Sequence, residues 1–568
     1  MRPILLAMML IVFAAYAADC SGSIEMGLPA VNEGGDDGPA GDIVVVRMHL
    51  VDGEGNAYLA VSPSSDETLQ QSILVANLVA RREAGNTKGD CDILVEFLGE
   101  EGGFVKGPSG GAAFSLMAYS LLTGKALRKD AAITGAVAPD GSIIPVGGVY
   151  EKAVSSKKAG KRYLITPVQT MDERLMLREL SGIGIYEAEN MRQAINFFVG
   201  GILPEKKSLN LTPEPLPELE GYSGEDVPAF AEITVEMIND ERAAASKVGD
   251  AQVREYFWKK IEQQEELLSK GYYYSAANDA FLNYILADSL SHIGNPDVDG
   301  KMREVGECIA AAKPIEPTYE NYEWVMGGDA RMKRAENQLA KFEGYEKGTK
   351  EEDYYAIYEL DYALAWCQAA SRMYAQAEKA GGSPIDELVL KGIADEYLGI
   401  SENYTGIEES ENYQNGLELY EEGRYAGAIH EIVYALSFER KNYAKENGEL
   451  SAAAAEEINQ GKRKSVWGRI FQAHTEYLLA ANDTEGAYAT AVFSAGMEGV
   501  GSELLAKKAE LPQMPQMEKG NEANESGEPC AKESPAKCAA ECPPPPLCSV
   551  GMALLAFAIF PLFIKKIA

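Results

Sequence analysis

Histidine is scarce in this chain, with four residues in 568, at positions 49, 292, 430 and 474. Positive charge is short as well: 52 Lys+Arg stand against 87 Asp+Glu, for a net charge of −35. That balance excludes nucleic acid as a partner, because its binders carry a basic stripe. It argues equally against docking on anionic lipid. No C-x-x-C pair occurs, and no His lies near Cys530, Cys538, Cys542 and Cys548, so a structural zinc site is not indicated there. The four Gly-Lys pairs, beginning at Gly124, Gly160, Gly300 and Gly461, are followed by Ala, Arg, Met and Arg. None has the Ser or Thr of a phosphate-binding loop, so a nucleotide-driven motor is absent. His430-Glu431 opens an H-E-x-x-H string, but Tyr434 stands where the second metal ligand is needed.

What is present begins at the two ends. Arg2, an apolar run over 4–14 and Ala15-Tyr16-Ala17 have the layout of a secretory signal peptide, assigned to 1–17. Cys20 invites a lipoprotein reading, which Asp19 disfavours. Residues 547–564 carry no charge and reach the minimum length for a transmembrane helix. Lys565 and Lys566 follow, which predicts a cytoplasmic tail over 565–568. The expectation is a membrane-anchored protein with its bulk extracytoplasmic, on the cell-surface side. Residues 512–546 are rich in Pro, Glu, Lys and Ala and read as a low-complexity stalk. Cys91, Cys308 and Cys367 are scattered, and sequons stand at Asn210, Asn403, Asn482 and Asn524; both features suit an oxidising, exported setting.

Between the ends the charge divides the chain. Residues 41–200 hold nineteen Asp/Glu against sixteen Lys/Arg, so the acidity belongs mainly to the residues beyond 200. After an N-terminal linker over 18–42, the stretch 43–203 alternates strand and helix. Segments 43–50 and 57–61 read as a hairpin around Asp52-Gly53-Glu54-Gly55. A helix over 66–84 ends at Gly85, and a strand comes next over 92–97. Further helices are expected over 111–123, 149–159 and 191–198, with strands near 131–137, 142–145 and 162–165. Residues 204–228, with five prolines, form a linker. From 229 to 511 nearly every segment has helical period. Gly423, Tyr425, Ala428, Ile429, Ala435 and Leu436 fall at the offsets of a tetratricopeptide helix pair, partly repeated at Gly271, Tyr273, Ala276 and Ala277. Such an array binds a protein partner or merely spaces the domain in front of it.

The chemistry lies in 106–167. Gly107-Pro108-Ser109-Gly110-Gly111 precedes an apolar helix and fits G-x-S-x-G, although a Ser at a helix start is also an ordinary cap. A Ser-His-Asp triad lacks its histidine, because His49 precedes the Ser and the others lie beyond the Pro-rich linker. Lysine replaces histidine as a base if burial lowers its pKa from about 10.4 towards neutrality. Lys152 comes just after the tight Gly147-Gly148 turn, early on a helix whose N-terminal dipole disfavours added positive charge.

Taken together, these residues resemble the proteolytic domain of the Lon protease family. GPSGG matches that family's GPSAG. Leu122-Thr123-Gly124 with Arg128 and Asp130, then Thr134-Gly135, match two further elements. Gly141, Pro145, Gly147-Gly148 and Glu151-Lys152, continued by Ala159-Gly160 and Pro167, match the element around the base. The resemblance implies a Ser–Lys dyad in which Ser109 attacks and Lys152 is the base. Thr134 would orient the lysine, and backbone N–H groups at Ser109 would hold the oxyanion, with Gly110 and Gly111 admitting the substrate strand. Lys106 stands where the family commonly has Asp, beside Gly107, and Tyr150 replaces the first Lys of its K-E-K. Fold similarity further implies a ring-like homo-oligomer.

The expected architecture is an α/β Lon-type protease domain, an all-α tetratricopeptide-like domain and a C-terminal transmembrane helix. The expected function is an ATP-independent serine endopeptidase acting on flexible or unfolded polypeptides, with no cofactor and no metal. The alternative is a membrane-tethered scaffold with an inactive Lon-like domain and peptide-binding helical repeats.

Overall fold

In the computed structural model, the described residues are 20–510 apart from 36–37, 61–65, 86–87, 89, 99–106, 210, 220–223 and 225. The described residues up to Ala506 belong to one compact unit.

The α/β part opens with strands β1 (Ser23–Gly35) and β2 (Gly38–Asp52), which pair antiparallel. Strand β3 (Ala57–Ala60), helix α1 (Glu67–Glu83), strand β4 (Cys91–Leu98) and helix α2 (Gly111–Thr123) come next. The sheet order is β1-β2-β4-β3, with β3 parallel to β4. Alternate residues Val46, Met48 and Leu50 of β2 and Cys91, Ile93 and Val95 of β4 are buried, as one covered sheet face requires. Helices α1 and α2 supply much of the cover through Ile73, Val79, Phe114 and Met117. Then come β5 (Ala131–Ile133), β6 (Ala136–Val137), β7 (Ile143–Ile144), α3 (Val149–Lys158), β8 (Tyr163–Thr166), α4 (Met171–Arg178), β9 (Gly184–Glu187) and α5 (Met191–Gly200). Strands β5, β8 and β9 make a parallel sheet, and β6 and β7 a small hairpin.

Two expectations fail here. The stretch read as a linker, 18–42, holds β1 and the start of β2. The expected hairpin between 43–50 and 57–61 does not form, because β4 lies between those strands. The turn-like string at 52–55 instead wraps the Asp92 carboxylate of β4, which accepts from Glu54 N at 2.8 Å and Asn56 N at 2.7 Å.

The helical part comprises α6 (Pro228–Lys247), α7 (Ala251–Ser269), α8 (Tyr273–Ser291), α9 (Val298–Ala311), α10 (Tyr322–Ala340) and α11 (Lys350–Ala380). It continues through α12 (Glu387–Ser401), α13 (Glu411–Glu421), α14 (Tyr425–Glu446), α15 (Ala452–Asn459), α16 (Val466–Ala480) and α17 (Thr484–Glu510). Helices α13 and α14 pack Leu419 against Ala428, Ile432 and Leu436. His430 and Glu431 are buried there. Arg334 pairs with Glu431 at 2.8 Å, and burial lowers His430 to about 4. The main helical core is continuous with Leu175 and Met176 of α4, so the two parts share one hydrophobic cluster.

The membrane reading is corrected. The proposed spanning segment 547–564, like the signal peptide 1–17 and the stalk 512–546, lies outside the described residues. Among the described residues no helix is long and apolar enough to cross a membrane. The longest ones, α11 and α17, are studded with Glu and Lys. The anchor and the tethered cell-surface placement are therefore withdrawn. So are the helical-domain partner and the ring-like homo-oligomer. The main helical core packs on its own helices and on α4, and no observation among the described residues supports a partner chain or an oligomer.

Disulfides join Cys20 to Cys91 and Cys308 to Cys367, pairings that the scattered spacing did not disclose. Bonds of this kind persist in oxidising surroundings. They also place the Cys20 thiol in a cross-link rather than free for a lipid. The second bond closes a 59-residue separation between α9 and α11. Replacing Cys308 and Cys367 by Ser should cost about 4 kcal/mol on the chain-entropy model. A urea midpoint indistinguishable from that of the unaltered protein would contradict this.

Candidate active site

Ser109 sits in a single 3₁₀ turn, Pro108–Gly110, that leads straight into α2. The turn is held from three sides. Gly107 N donates to both oxygens of the Asp66 carboxylate, at 3.2 and 3.3 Å. Asp66 is also the N-cap of α1, accepting from Leu69 N at 2.8 Å. Bonds from Thr68, Leu69 and Gly107 hold its carboxyl below the ordinary value. Ser72 of α1 donates from its hydroxyl to Pro108 O at 3.1 Å. Gly135 N donates to Ser109 O at 3.0 Å, and Ala112 N donates to Gly135 O at 3.0 Å. The last two bonds place Thr134-Gly135 against the serine turn. Lys106 lies outside the described residues. The small size of Gly110 serves packing, since a Cβ there would stand 2.9 Å from the Phe114 ring.

Thr134 leaves β5 with its N–H bonded to Ile165 O at 3.0 Å. Its hydroxyl is buried and has no hydrogen-bond partner among the described residues. A buried orphan hydroxyl costs stability, and such groups concentrate where chemistry needs them.

Lys152 lies in the first turn of α3, which packs Val149 and Ala153 against Ala132 of β5 and Leu164 of β8. It is only 4% exposed. Its amine donates to Gly147 O at 2.7 Å and makes no ion pair among the described residues. Burial lowers the lysine to about 8, against the opposing pull of Glu351 and Glu151. Gly148, the N-cap of α3, adopts φ 67°, ψ 30°, and a Cβ there would strike Val31 at 2.5 Å. A left-handed residue with no room for a side chain must be glycine.

The structure thus brings Ser109 and Thr134-Gly135 together through the backbone, and seats Lys152 on the sheet from which Thr134 emerges. Asp66 was legible in the sequence as a helix start, but not as the acceptor that fixes the serine turn. Among the described residues no group of His, Cys, Asp and Glu could hold a metal ion.

Residues 29–184 match the model of the Lon protease (S16) C-terminal proteolytic domain. Over 175 residues the chain is 27% identical to a Lon protease of Koribacter versatilis, covering 29% of this chain and 21% of that one. It is 30% identical over 134 residues to Lon protease 2 of Herpetosiphon aurantiacus, covering 23% and 16%. With a Lon protease of Erwinia amylovora the identity is 34% over 134 residues, covering 22% and 17%. The chain therefore spans about a fifth of the length of the curated relatives it matches. The likeness ends before the helical part, and no phosphate-binding loop occurs in the sequence that follows. At the level of the family, the match supports a hydrolase of the protease type.

Proposed function

We propose that this protein is an ATP-independent serine endopeptidase for flexible or unfolded polypeptides, working through Ser109 and Lys152. The observation that carries the reading is the lysine. It is buried, makes no carboxylate ion pair among the described residues and is lowered to about 8, on the helix that starts at the Gly147-Gly148 turn. A neutral amine has two N–H groups and one lone pair. Gly147 O takes one N–H; in the working enzyme the Thr134 hydroxyl would accept the other and the Ser109 hydroxyl would donate to the lone pair.

In the first step the Ser109 oxygen bonds to the peptide carbonyl carbon while its proton passes to Lys152. Backbone N–H groups at Ser109 stabilise the oxyanion. The lysine then gives the proton to the leaving amine as the C–N bond breaks. Water, activated by the same amine, hydrolyses the acyl-enzyme and restores Ser109.

One observation favours the second reading, an inactive binding domain: the amine bonds to Gly147 O and the Ser109 hydroxyl takes no hydrogen bond among the described residues. Catalytic hydrogen bonds of free enzymes are often long and tighten only with substrate. Degradation of casein by the full chain without nucleotide is the deciding test. A protein that binds casein but leaves it intact would establish the binding reading instead.

Thr134→Val separates orientation from folding. It removes a buried hydroxyl that has no hydrogen-bond partner among the described residues, so thermal stability should hold or rise. Casein turnover should fall by about one to two orders of magnitude, as loss of an orienting hydrogen bond does. Unchanged turnover would remove Thr134 from the mechanism.

A further inference from the structure

The first turn of α3 carries the candidate base, and its N-terminal N–H groups have no cap of their own. They are capped from the helical part. Glu351, in the first turn of α11 and about 200 residues away in sequence, accepts from Gly148 N at 2.7 Å and Val149 N at 2.8 Å, both bonds buried. The exchange is reciprocal: Lys350 N of α11 donates to Glu151 of α3 at 2.7 Å. Each helix start receives a carboxylate from the other, which is where the positive ends of two helix dipoles need one. Lys350 Nζ also lies 4.1 Å from the Tyr150 ring centre. Tyr150 is the residue that departs from the K-E-K of the resembled family, and it packs against the helical core.

One peptide group gives this contact its consequence. Gly148 N–H and Gly147 C=O belong to the same planar unit. The N–H points at Glu351 and the C=O accepts the Lys152 amine at 2.7 Å. Fixing one end of a rigid trans peptide fixes the other, and a carboxylate on the N–H polarises the carbonyl into a better acceptor. From this geometry we infer that Glu351 is a positioning residue for the candidate base, so that the helical part completes the active site rather than merely accompanying it. The inference rests on the Ser–Lys reading of the site. The charged groups around Glu351 are Lys152 and Glu151 of α3, Glu173 of α4 and its own neighbour Lys350. Burial, with Glu173 and Glu151 adding to it, raises the Glu351 carboxyl to about 7, against the two backbone donors.

The test is Glu351→Gln in the full chain, with casein kinetics and the pH titration of Lys152. The titration is monitored by the carbon-13 shift of its Cε, assigned by difference from Lys152→Arg. The amide keeps the shape but loses the charge and one of the two acceptors. The kcat should fall about tenfold with KM within about twofold, as a misplaced base predicts. The Lys152 midpoint should move below about 8, because Glu351 is the leading influence that raises it. A merely structural Glu351 gives the opposite sign, since solvent entering a loosened site lifts the amine back towards 10.5. An unmoved or upward midpoint in a folded variant overturns the inference. Glu352→Gln is the control: Glu352 caps its own helix through Thr349 N and should leave the Lys152 midpoint in place. Should Glu351→Gln not fold, Glu351→Asp carries the test, since it keeps the charge but is one methylene short. Its kcat should fall, and a kcat equal to that of the unaltered protein overturns the inference. If Lys152→Ala still cleaves casein, the Ser–Lys reading fails. The Lys152 titration in Glu351→Gln still decides whether the carboxylate governs the amine.

Discussion

Ser109→Ala should lower casein hydrolysis by about three orders of magnitude or more, the scale on which removal of a nucleophile acts. Folding should be almost untouched. Ser109 is only partly buried, it is in a turn fixed by backbone and neighbouring side-chain bonds, and its hydroxyl supports nothing else described. The turn stays anchored by Gly107 N on Asp66 and Gly135 N on Ser109 O, neither of which uses the hydroxyl. The variant should therefore show the melting temperature of the unaltered protein and still bind casein. If hydrolysis persists at more than a few per cent, Ser109 is an ordinary helix-start residue. The Lon-like domain would then act by another nucleophile or only bind.

Local signals account for the parts of the molecule that the sequence disclosed. Helix α2 has its expected bounds, Gly111–Thr123, because glycines mark both ends and Gly124 closes it in the left-handed region at φ 70°. Helix α1 starts after Asp66 because that side chain can cap it. What escaped needed either unusual pairing or distance. Strand β1 hid in a stretch with several glycines and a proline, which β-propensity disfavours. Helix α4 has only eight residues, although Thr170 and Glu173 form a capping box whose T-x-x-E spacing is visible in the sequence. The β3–β4 pairing defeated the hairpin rule because Asp92 organises the turn from another strand. At the candidate site, Ser109, Thr134 and Lys152 stood out by motif. Glu351 could not: a glutamate in the first turn of a helix is common, and only the fold reveals which backbone it faces.

The pH profile is the most demanding expectation, because burial of Lys152 must leave the same signature in rate and in stability. With the amine lowered to about 8, about a tenth of it is neutral at pH 7, against well under a thousandth at an ordinary lysine pKa. The kcat/KM should rise about tenfold per pH unit below 8 and level off above it. Lys152→Arg cannot supply a neutral base, since guanidinium stays charged, so activity should be lost at every pH. For stability the sign comes from proton counts. The folded pKa lies below the unfolded value of 10.5, so between about pH 8 and 10.5 the unfolded chain binds more protons. The lysine's contribution to stability therefore rises with pH across that window. Below pH 8 the burial penalty is constant and at its largest. Lys152→Met, similar in length and uncharged, should then be inactive yet more stable at pH 7, by up to about 3 kcal/mol. Loss of the bond to Gly147 O reduces the gain. An inactive but stabilised Met variant is the mark of a residue kept for chemistry at the expense of folding. A destabilised one would mean that the ammonium is held by partners that outweigh its burial, and that Lys152 is not a neutral base at working pH.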